Sequence, residues 1–407
     1  MGTEPEPVVV VGAGPVGLSA ALALRARGLP VTVLEAEPED RERPGSRAIY
    51  VHGATLQTLE RNRPGLGQTL AERGLVWPTR RTFWHGKEVF SRTYSAPGGT
   101  GGLPHFISMP QVWTEEELLE ACLEAAVEVV WERPVQRVKT SEDAVTLKTE
   151  PGDIWEAEYV VGADGAESIV RKQIGAEFEG DRSKNHFVIT DVREHPDNPR
   201  PNERIFHYGH PDIGGRHVLL VPFSGGWRVD LQCRPSDDPE RLSRKDVVSE
   251  WVGATLGERY ADRVEWISTY QFLQVTADSF IDEHRRVLLA GEAAHLFAPF
   301  GARGMNSGIA DAEAAASAIA IAQRAKQDGV ARRAVQQFAA ERETAAEWNK
   351  NAAGQALRHM QAVGPVLKTK QRLAAAVAPF YEPAGKWLDE APYGPRGGPP
   401  IVTGEKY

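Results

Sequence analysis

The chain reads as an α/β fold (α+β overall), with a parallel-sheet domain interrupted by an antiparallel sheet and closed by C-terminal helices. Three observations predict it. A Gly12-x-Gly14-x-x-Gly17 turn joins the β-branched run Val8–Val11 to a helical segment starting at Pro15. Buried-strand patterns return much later, at Tyr159–Val161 before Gly162-Ala163-Asp164-Gly165 and at Arg286–Ala290 before Gly291-Glu292. Between these returns, Trp227–Gln232 and Arg263–Trp266 alternate apolar and polar residues as half-buried antiparallel strands do.

Composition narrows the class. At 407 residues the chain exceeds what one growing core holds, so two or three subdomains are expected. Its net charge is -9 with both signs interspersed, which disfavours nucleic acid and favours a small organic ligand. The two cysteines, Cys122 and Cys233, make no disulfide scaffold and suit a reducing cytoplasm. The start, Met1 to Pro7, is acidic where a secretory signal is basic, and no apolar run nears the ~20 residues of a membrane span. A cytoplasmic protein without membrane association is expected.

In chain order, Val8–Val11 is a buried strand, and Pro15–Arg27 is a helix with Leu18, Leu22 and Ala26 on one face and Gly28 as its stop. Val31–Leu34 is a second strand ending at Glu35, and Glu37–Arg47 is a charged loop. Thr55–Leu59 and Glu115–Ala126 are helical, and Val129–Trp131, Val135–Val138, Ala144–Leu147 and Glu156–Val161 are short strands. The polar, proline-containing stretch Asp181–Pro201 reads as a boundary. His217–Val221 joins the antiparallel sheet, and Arg244–Leu256 is a helix. Gly308–Ala322 and Ala334–Met360 are helices, and Pro379–Tyr407 is a Pro/Gly-rich tail. The expected domains are 1–73, 103–180 and 276–325 for the discontinuous nucleotide-binding part, 74–102 and 181–275 for the antiparallel-sheet part, and 326–407 for the C-terminal helices and tail.

The first strand, turn and helix form a Rossmann-like unit. Gly12 makes the tight turn, Gly14 lets a pyrophosphate approach the backbone, and Gly17 lets the helix pack on the strand. The helix N-terminus, at Pro15 and Val16, then faces the phosphates, and Glu35 is placed for an adenosine ribose. Asp164 before Gly165 serves equally as a helix N-cap or a ligand contact. Glu292 at a strand end suits a polyol chain. The glycine loop Pro299-Phe300-Gly301-Ala302-Arg303-Gly304-Met305-Asn306 leads into a helix whose N–H groups suit an electron-rich carbonyl or a developing anion. His295 lacks the partners of a triad or metal site, so it reads as structural at a helix start.

Together, Gly12-x-Gly14-x-x-Gly17, Gly162-Ala163-Asp164-Gly165-x-x-Ser168-x-x-Arg171, Gly291-Glu292-Ala293-Ala294-His295 and Pro299-Phe300-Gly301-x-x-Gly304-Met305-Asn306 resemble the FAD-dependent aromatic hydroxylases. These are the single-component flavoprotein monooxygenases of the 4-hydroxybenzoate and 3-(3-hydroxyphenyl)propionate hydroxylase kind. The resemblance runs from about residue 7 to about residue 350. It implies an FAD-binding domain in which Glu35 holds the ribose and Asp164-Gly165 lies by the pyrophosphate. Arg47 lies near the flavin, Gln111 and Glu292 on the ribityl side, and Pro299 beside the reactive edge. The family usually has Asp where Glu292 stands, and Pro where Ala298 stands.

The implied activity is an NAD(P)H-consuming monooxygenase. NADPH or NADH visits to reduce FAD, and O₂ is delivered through a flavin C4a-hydroperoxide to a phenolic or polycyclic natural-product ring. Substrate contacts are expected from the inserted sheet: His207, Tyr208, Arg228 and Gln232, with Trp227 or Phe223 as packing surface. No acid or base is identified, and Tyr208, His207 and Arg228 stand as the candidates for catalysis, with Pro299 beside the flavin edge. Epoxidation, oxidative decarboxylation, Baeyer–Villiger insertion and a non-catalytic flavin-binding homologue stand as alternatives. A flavin halogenase is disfavoured because its Trp-x-Trp-x-x-Pro segment is absent. The assembly is expected to be a monomer or homodimer.

Overall fold

A computed structural model describes residues 6–43, 45–94, 102–150, 152–362 and 364–395. Residues 1–5 of the acidic start and the last part of the expected tail, 396–407, lie outside the described residues.

The parallel layer belongs to a seven-stranded sheet centred on Glu6–Val11, which pairs with Thr32–Leu34 on one side and Ile154–Gly162 on the other. Glu128–Val130 extends one edge, and Val287–Leu289 pairs with the end of Ile154–Gly162 on the far side. Consequently Val11, Leu34, Gly162 and Leu289 end side by side, and the segments that follow them converge on one crevice. A hairpin, Val135–Thr140 and Val145–Thr149, adds antiparallel strands through Ile154–Ala157. The helix Pro15–Ala26 packs between Gln111–Glu124 and Arg303–Arg324. Its residues Gly17 to Leu24 are all buried, so it is covered nearly all round rather than on the one expected face.

The second sheet has eight strands, in the order His295–Leu296, Val264–Ala277, Phe178–Arg193, Gly226–Gln232, Arg216–Phe223, Glu203–His210, Thr79–Trp84 and Lys87–Thr93. The expected boundary at Asp181–Pro201 is corrected here. Most of it is a strand, with Phe187, Val188, Ile189 and Val192 buried against both neighbours. Its polar flanks hide that short buried run. Glu203–His210 was not anticipated, and it pairs in parallel with Thr79–Trp84, so the sheet is mixed. The parallel pair arises because these strands come from separate excursions of the chain rather than from one hairpin.

Beyond Arg303–Arg324, the helix Asp328–Met360 is followed by Pro365–Val377 and Glu382–Glu390. The expected tail therefore contains a helix. Its Leu388 is fully buried (0%), and it ends in a turn that returns to the interior. Cys122 and Cys233 are free and buried. No described helix is long and apolar enough to cross a membrane.

Candidate active site

One continuous cavity of about 1690 Å³ runs from the Gly12 turn to the eight-stranded sheet. A typical small-ligand site is roughly 300–1,000 Å³, so this one has room for a dinucleotide and a second molecule together. All the expected cofactor residues line it except Gly17 and Gly291, which lie behind it.

The three turn glycines differ in what the protein itself requires of them. Gly12 has φ +102°, and a Cβ there would lie 2.5 Å from the Ala163 carbonyl oxygen. A Cβ on Gly17 would lie 1.9 Å from the Gly12 carbonyl oxygen. Gly14 has an ordinary extended backbone, and a Cβ there would meet nothing nearer than Arg43 Nη1 at 4.0 Å. The fold needs the first and last glycine. The middle one keeps an open approach to the helix N-terminus at Pro15, as a pyrophosphate demands, so the residues fit a bound dinucleotide.

Glu35 accepts from Ala13 N–H at 2.5 Å and from Glu37 N–H at 3.0 Å, which fixes its carboxylate at the cavity wall. Asp164 accepts from Ile169 and Val170 N–H at 2.8 and 3.0 Å and from the Ser168 hydroxyl. It thus caps the helix Ile169–Gln173 while lining the cavity. Burial raises its pKa against those hydrogen bonds. Glu292 opens onto the cavity yet is surrounded by protein, and this desolvation raises its pKa while His295 and Arg47 oppose the rise.

On the far side, Ala302 in a left-handed conformation (φ 54°) starts the helix Arg303–Arg324, whose N-terminus faces the cavity. The Asn306 amide is consumed within the protein. Its Oδ1 accepts from His52 N–H and the Thr55 hydroxyl, and its Nδ2 donates to the Tyr50 and Ala302 carbonyls. It holds the loop in place. The first-turn backbone N–H groups carry the partial positive charge at that end.

Behind this loop lies a buried network. Asp311 accepts from Arg342 Nε at 2.7 Å and Gly291 N–H at 3.1 Å, and pairs with His295 Nε2 at 2.7 Å. His295 stacks on Phe297 with centroids 4.5 Å apart, and Phe297 lines the cavity. His295 is structural as expected, but it sits on a short strand rather than at a helix start.

Arg47 (φ 51°) and Gln111 both line the cavity. Gln111 accepts from Ala48 N–H and donates to Glu115, tying the Arg47 loop to the helix Gln111–Glu124. The loop is also fixed to the eight-stranded sheet. Asp191 accepts from the Ser46 hydroxyl at 2.6 Å and from Ser46 N–H, and Arg228 donates to the Arg47 carbonyl. Trp266 packs against Gly45, where a Cβ would lie 2.4 Å from the indole.

Of the sheet residues expected to meet substrate, Arg228 alone lines the cavity. Strand alternation sends His207 and Trp227 to the opposite face, where burial, with His210 and Arg200, lowers the His207 pKa to about 3. Phe223 and Gln232 are buried away from the lining. Tyr208 shares the cavity side of its strand but lies beyond the cavity, under the C-terminal helices. Its hydroxyl meets His359 Nε2 at 2.8 Å and the Leu388 carbonyl at 2.7 Å. A Tyr208→Phe enzyme is accordingly expected to lose about 1–3 kcal/mol of stability in urea unfolding with unchanged kcat. A kcat loss above about tenfold would return Tyr208 to the chemistry.

Several cavity residues were not anticipated from sequence. Tyr50, Trp77 and Phe106 form an aromatic wall, with Tyr50 and Phe106 stacked at 4.7 Å and Trp77 4.5 Å from Phe106. Arg80, Arg204, Arg303 and Tyr393 line the end nearest the C-terminal turn. Only the aromatic density of segments 77–106 hinted at the wall. The arginines come from three distant strands and helices.

Comparison with known proteins places these features among flavoproteins. The family described as FAD binding domain matches residues 6–347. Para-nitrophenol 4-monooxygenase of Pseudomonas sp. (strain WBC-3) is 31% identical over 326 residues, covering 77% of this chain and 77% of that protein. The 12-dehydrotetracycline 5-monooxygenase/anhydrotetracycline 6-monooxygenase of Streptomyces rimosus subsp. rimosus is 32% identical over 75% of this chain, which spans 60% of that relative's length. The crystal structure of p-nitrophenol 4-monooxygenase PnpA from Pseudomonas putida DLL-E4 superposes with TM-score 0.78 at 26% identity, covering 97% of this chain and 99% of that one.

Proposed function

Because this chain belongs to the FAD-binding-domain family of flavoprotein monooxygenases, we propose that its cavity takes FAD and an aromatic substrate together and supports insertion of one oxygen atom from O₂ into the ring. The observation that carries this reading is the continuity of the cavity: one space joins the open approach at Gly14, the helix N-terminus at Gly301–Asn306 and the aromatic wall. When bound, FAD reduced by NADH or NADPH supplies the electrons and the site at which O₂ is activated.

The chain's own residues do the rest. The Pro15 helix N-terminus holds phosphate, and Glu35 accepts from ribose hydroxyls. The N–H groups opening Arg303–Arg324 stabilise negative charge on the flavin's carbonyl edge. Arg47, Gln111, Glu292 and Pro299 line the cavity; the first three would border the ribityl chain of a bound flavin and Pro299 its reacting edge. Tyr50, Trp77 and Phe106 offer flat apolar faces to an arene and exclude water from the reacting face.

The test is turnover. Purified yellow protein should oxidise NADH or NADPH faster in the presence of an accepted phenol or polycyclic aromatic, with matching O₂ uptake and a product heavier by one oxygen atom. Protein that releases no FAD on denaturation, or product unchanged in mass, overturns the reading.

A further inference from the structure

The cavity end near the C-terminal turn holds more positive charge than the described residues neutralise. Arg80 Nη1 and Arg204 Nη1 share one carboxylate, Asp389, at 2.9 and 3.0 Å. Arg303 has no carboxylate within ion-pair distance among the described residues. It donates to Asn349 Oδ1 at 2.9 Å and to the Tyr393 and Pro395 carbonyls at 3.4 and 2.9 Å. All three side chains are more than nine-tenths buried, and all three line the cavity.

Their hydrogen-bonding capacity is also unspent. Among the described residues, Arg80 Nε, Arg204 Nε and Nη2, and Arg303 Nε are buried without a partner. What Arg80 and Arg204 face instead is the ring of Tyr393, at 4.9 and 4.7 Å from its centroid. A π face is a weak substitute for an oxyanion. A cluster serving packing alone would balance its charges, because an uncompensated buried charge is costly. Three guanidiniums, two of them sharing one carboxylate and the third with none in reach, at the wall of a ligand cavity, are instead suited to receive a second anion in planar, bidentate geometry.

We propose that Arg80, Arg204 and Arg303 form a subsite for an anionic group carried by the aromatic substrate, a carboxylate or comparably delocalised oxyanion. This rests on the cavity being the substrate site of the oxygenase. Asp389 ties the two strand arginines together, and the Tyr393 ring lies against both. The substrate's ring then extends from this end toward the aromatic wall.

The experiment uses FAD-loaded protein and matched probes of one to three rings: benzoate, 2-naphthoate and anthracene-2-carboxylate, each against its carboxamide. Binding is read by thermal shift and flavin fluorescence. At least one carboxylate should bind roughly 10- to 100-fold more tightly than its amide, the worth of a charge-assisted hydrogen-bond set. Arg204→Met and Arg80→Met should erase that preference without weakening the amide, and Arg204→Lys should restore part of it. Asp389→Asn, which keeps the shape and removes the competing charge, should tighten the carboxylate alone. Equal binding of acid and amide by the unaltered protein across all three pairs overturns the proposal, as does equal weakening of both in folded arginine variants. If acid and amide are indistinguishable while neutral aromatics are still oxygenated, the subsite fails and the oxygenase reading stands. If no FAD is retained, the oxygenase reading itself fails.

Discussion

A Gly14→Val protein is expected to fold and remain soluble while losing at least about 100-fold in FAD affinity, a penalty near 2.8 kcal/mol at 1.4 kcal/mol per factor of ten. The branched side chain fits the extended backbone at this position and meets no protein atom closer than Arg43 Nη1 at 4.0 Å from its Cβ. What it fills is the space before the helix N-terminus. Gly17→Ala is expected to do the reverse. Its single methyl collides with the Gly12 carbonyl, so helix and strand must part, and overpacking of this kind costs about 1–3 kcal/mol or more. FAD titration followed by fluorescence, with chemical unfolding of the apoproteins, separates the two. Retained FAD in Gly14→Val would show that the dinucleotide does not lie across this turn. An unperturbed unfolding midpoint in Gly17→Ala would contradict the close packing of helix on strand.

The second large effect is expected at Asp311. Removing its carboxylate in Asp311→Ala leaves Arg342 buried without its charge partner and frees His295 and the Gly291 N–H. Breaking such a pair costs about 3–5 kcal/mol, enough to remove much of the stability of an ordinary domain. Burial pushes the Asp311 carboxyl up, but Arg342 and His295 outweigh it and hold its pKa below the usual carboxylate range. Its contribution is therefore fully present above the unfolded value of about 3.9, and it is lost as pH falls through the lower folded value. Unfolding free energies should drop more steeply below about pH 4 in the parent than in Asp311→Asn. Parallel acid profiles would remove Asp311 from the account of acid stability. Weaker FAD binding should accompany the loss, because Gly291 and the His295–Phe297 stack stand directly behind the cavity.

The parts of this architecture that are local in sequence were legible in it. Gly12, Gly14 and Gly17 sit within one turn, and their separate duties follow from one strand, one bend and one helix. Gly162–Gly165 and Gly291–Glu292 were recognisable because each closes a short apolar run. The middle strand of the larger sheet was not. Phe187 to Val192 is short and lies between charged residues and prolines, so the average polarity of 181–201 concealed a buried core segment. The cationic end of the cavity was less legible still. Arg80, Arg204 and Asp389 are separated by more than a hundred positions each, and no periodicity links them. Only the pairing of Thr79–Trp84 beside Glu203–His210 brings the arginines together. The return of the C-terminal turn supplies the acid, and the Pro/Gly-rich composition there had suggested a tail. Strand alternation also explains why His207 and Trp227 missed the cavity, whereas Tyr208 lies on the cavity side of its strand but beyond the cavity's end: without the register, neither face of Glu203–His210 or Gly226–Gln232 could be preferred.

The short loop around Arg47 has two owners. It emerges from the parallel-sheet core, but Asp191, Arg228 and Trp266 fasten it to the larger sheet, and those same strands wall the substrate end. Its left-handed backbone at Arg47 leaves little slack to absorb displacement. A molecule that nudges Arg228 therefore tugs on Arg47 through a hydrogen bond to its carbonyl. The larger sheet's cavity wall and the loop from the parallel-sheet core are thus joined at Arg47 through a single side chain.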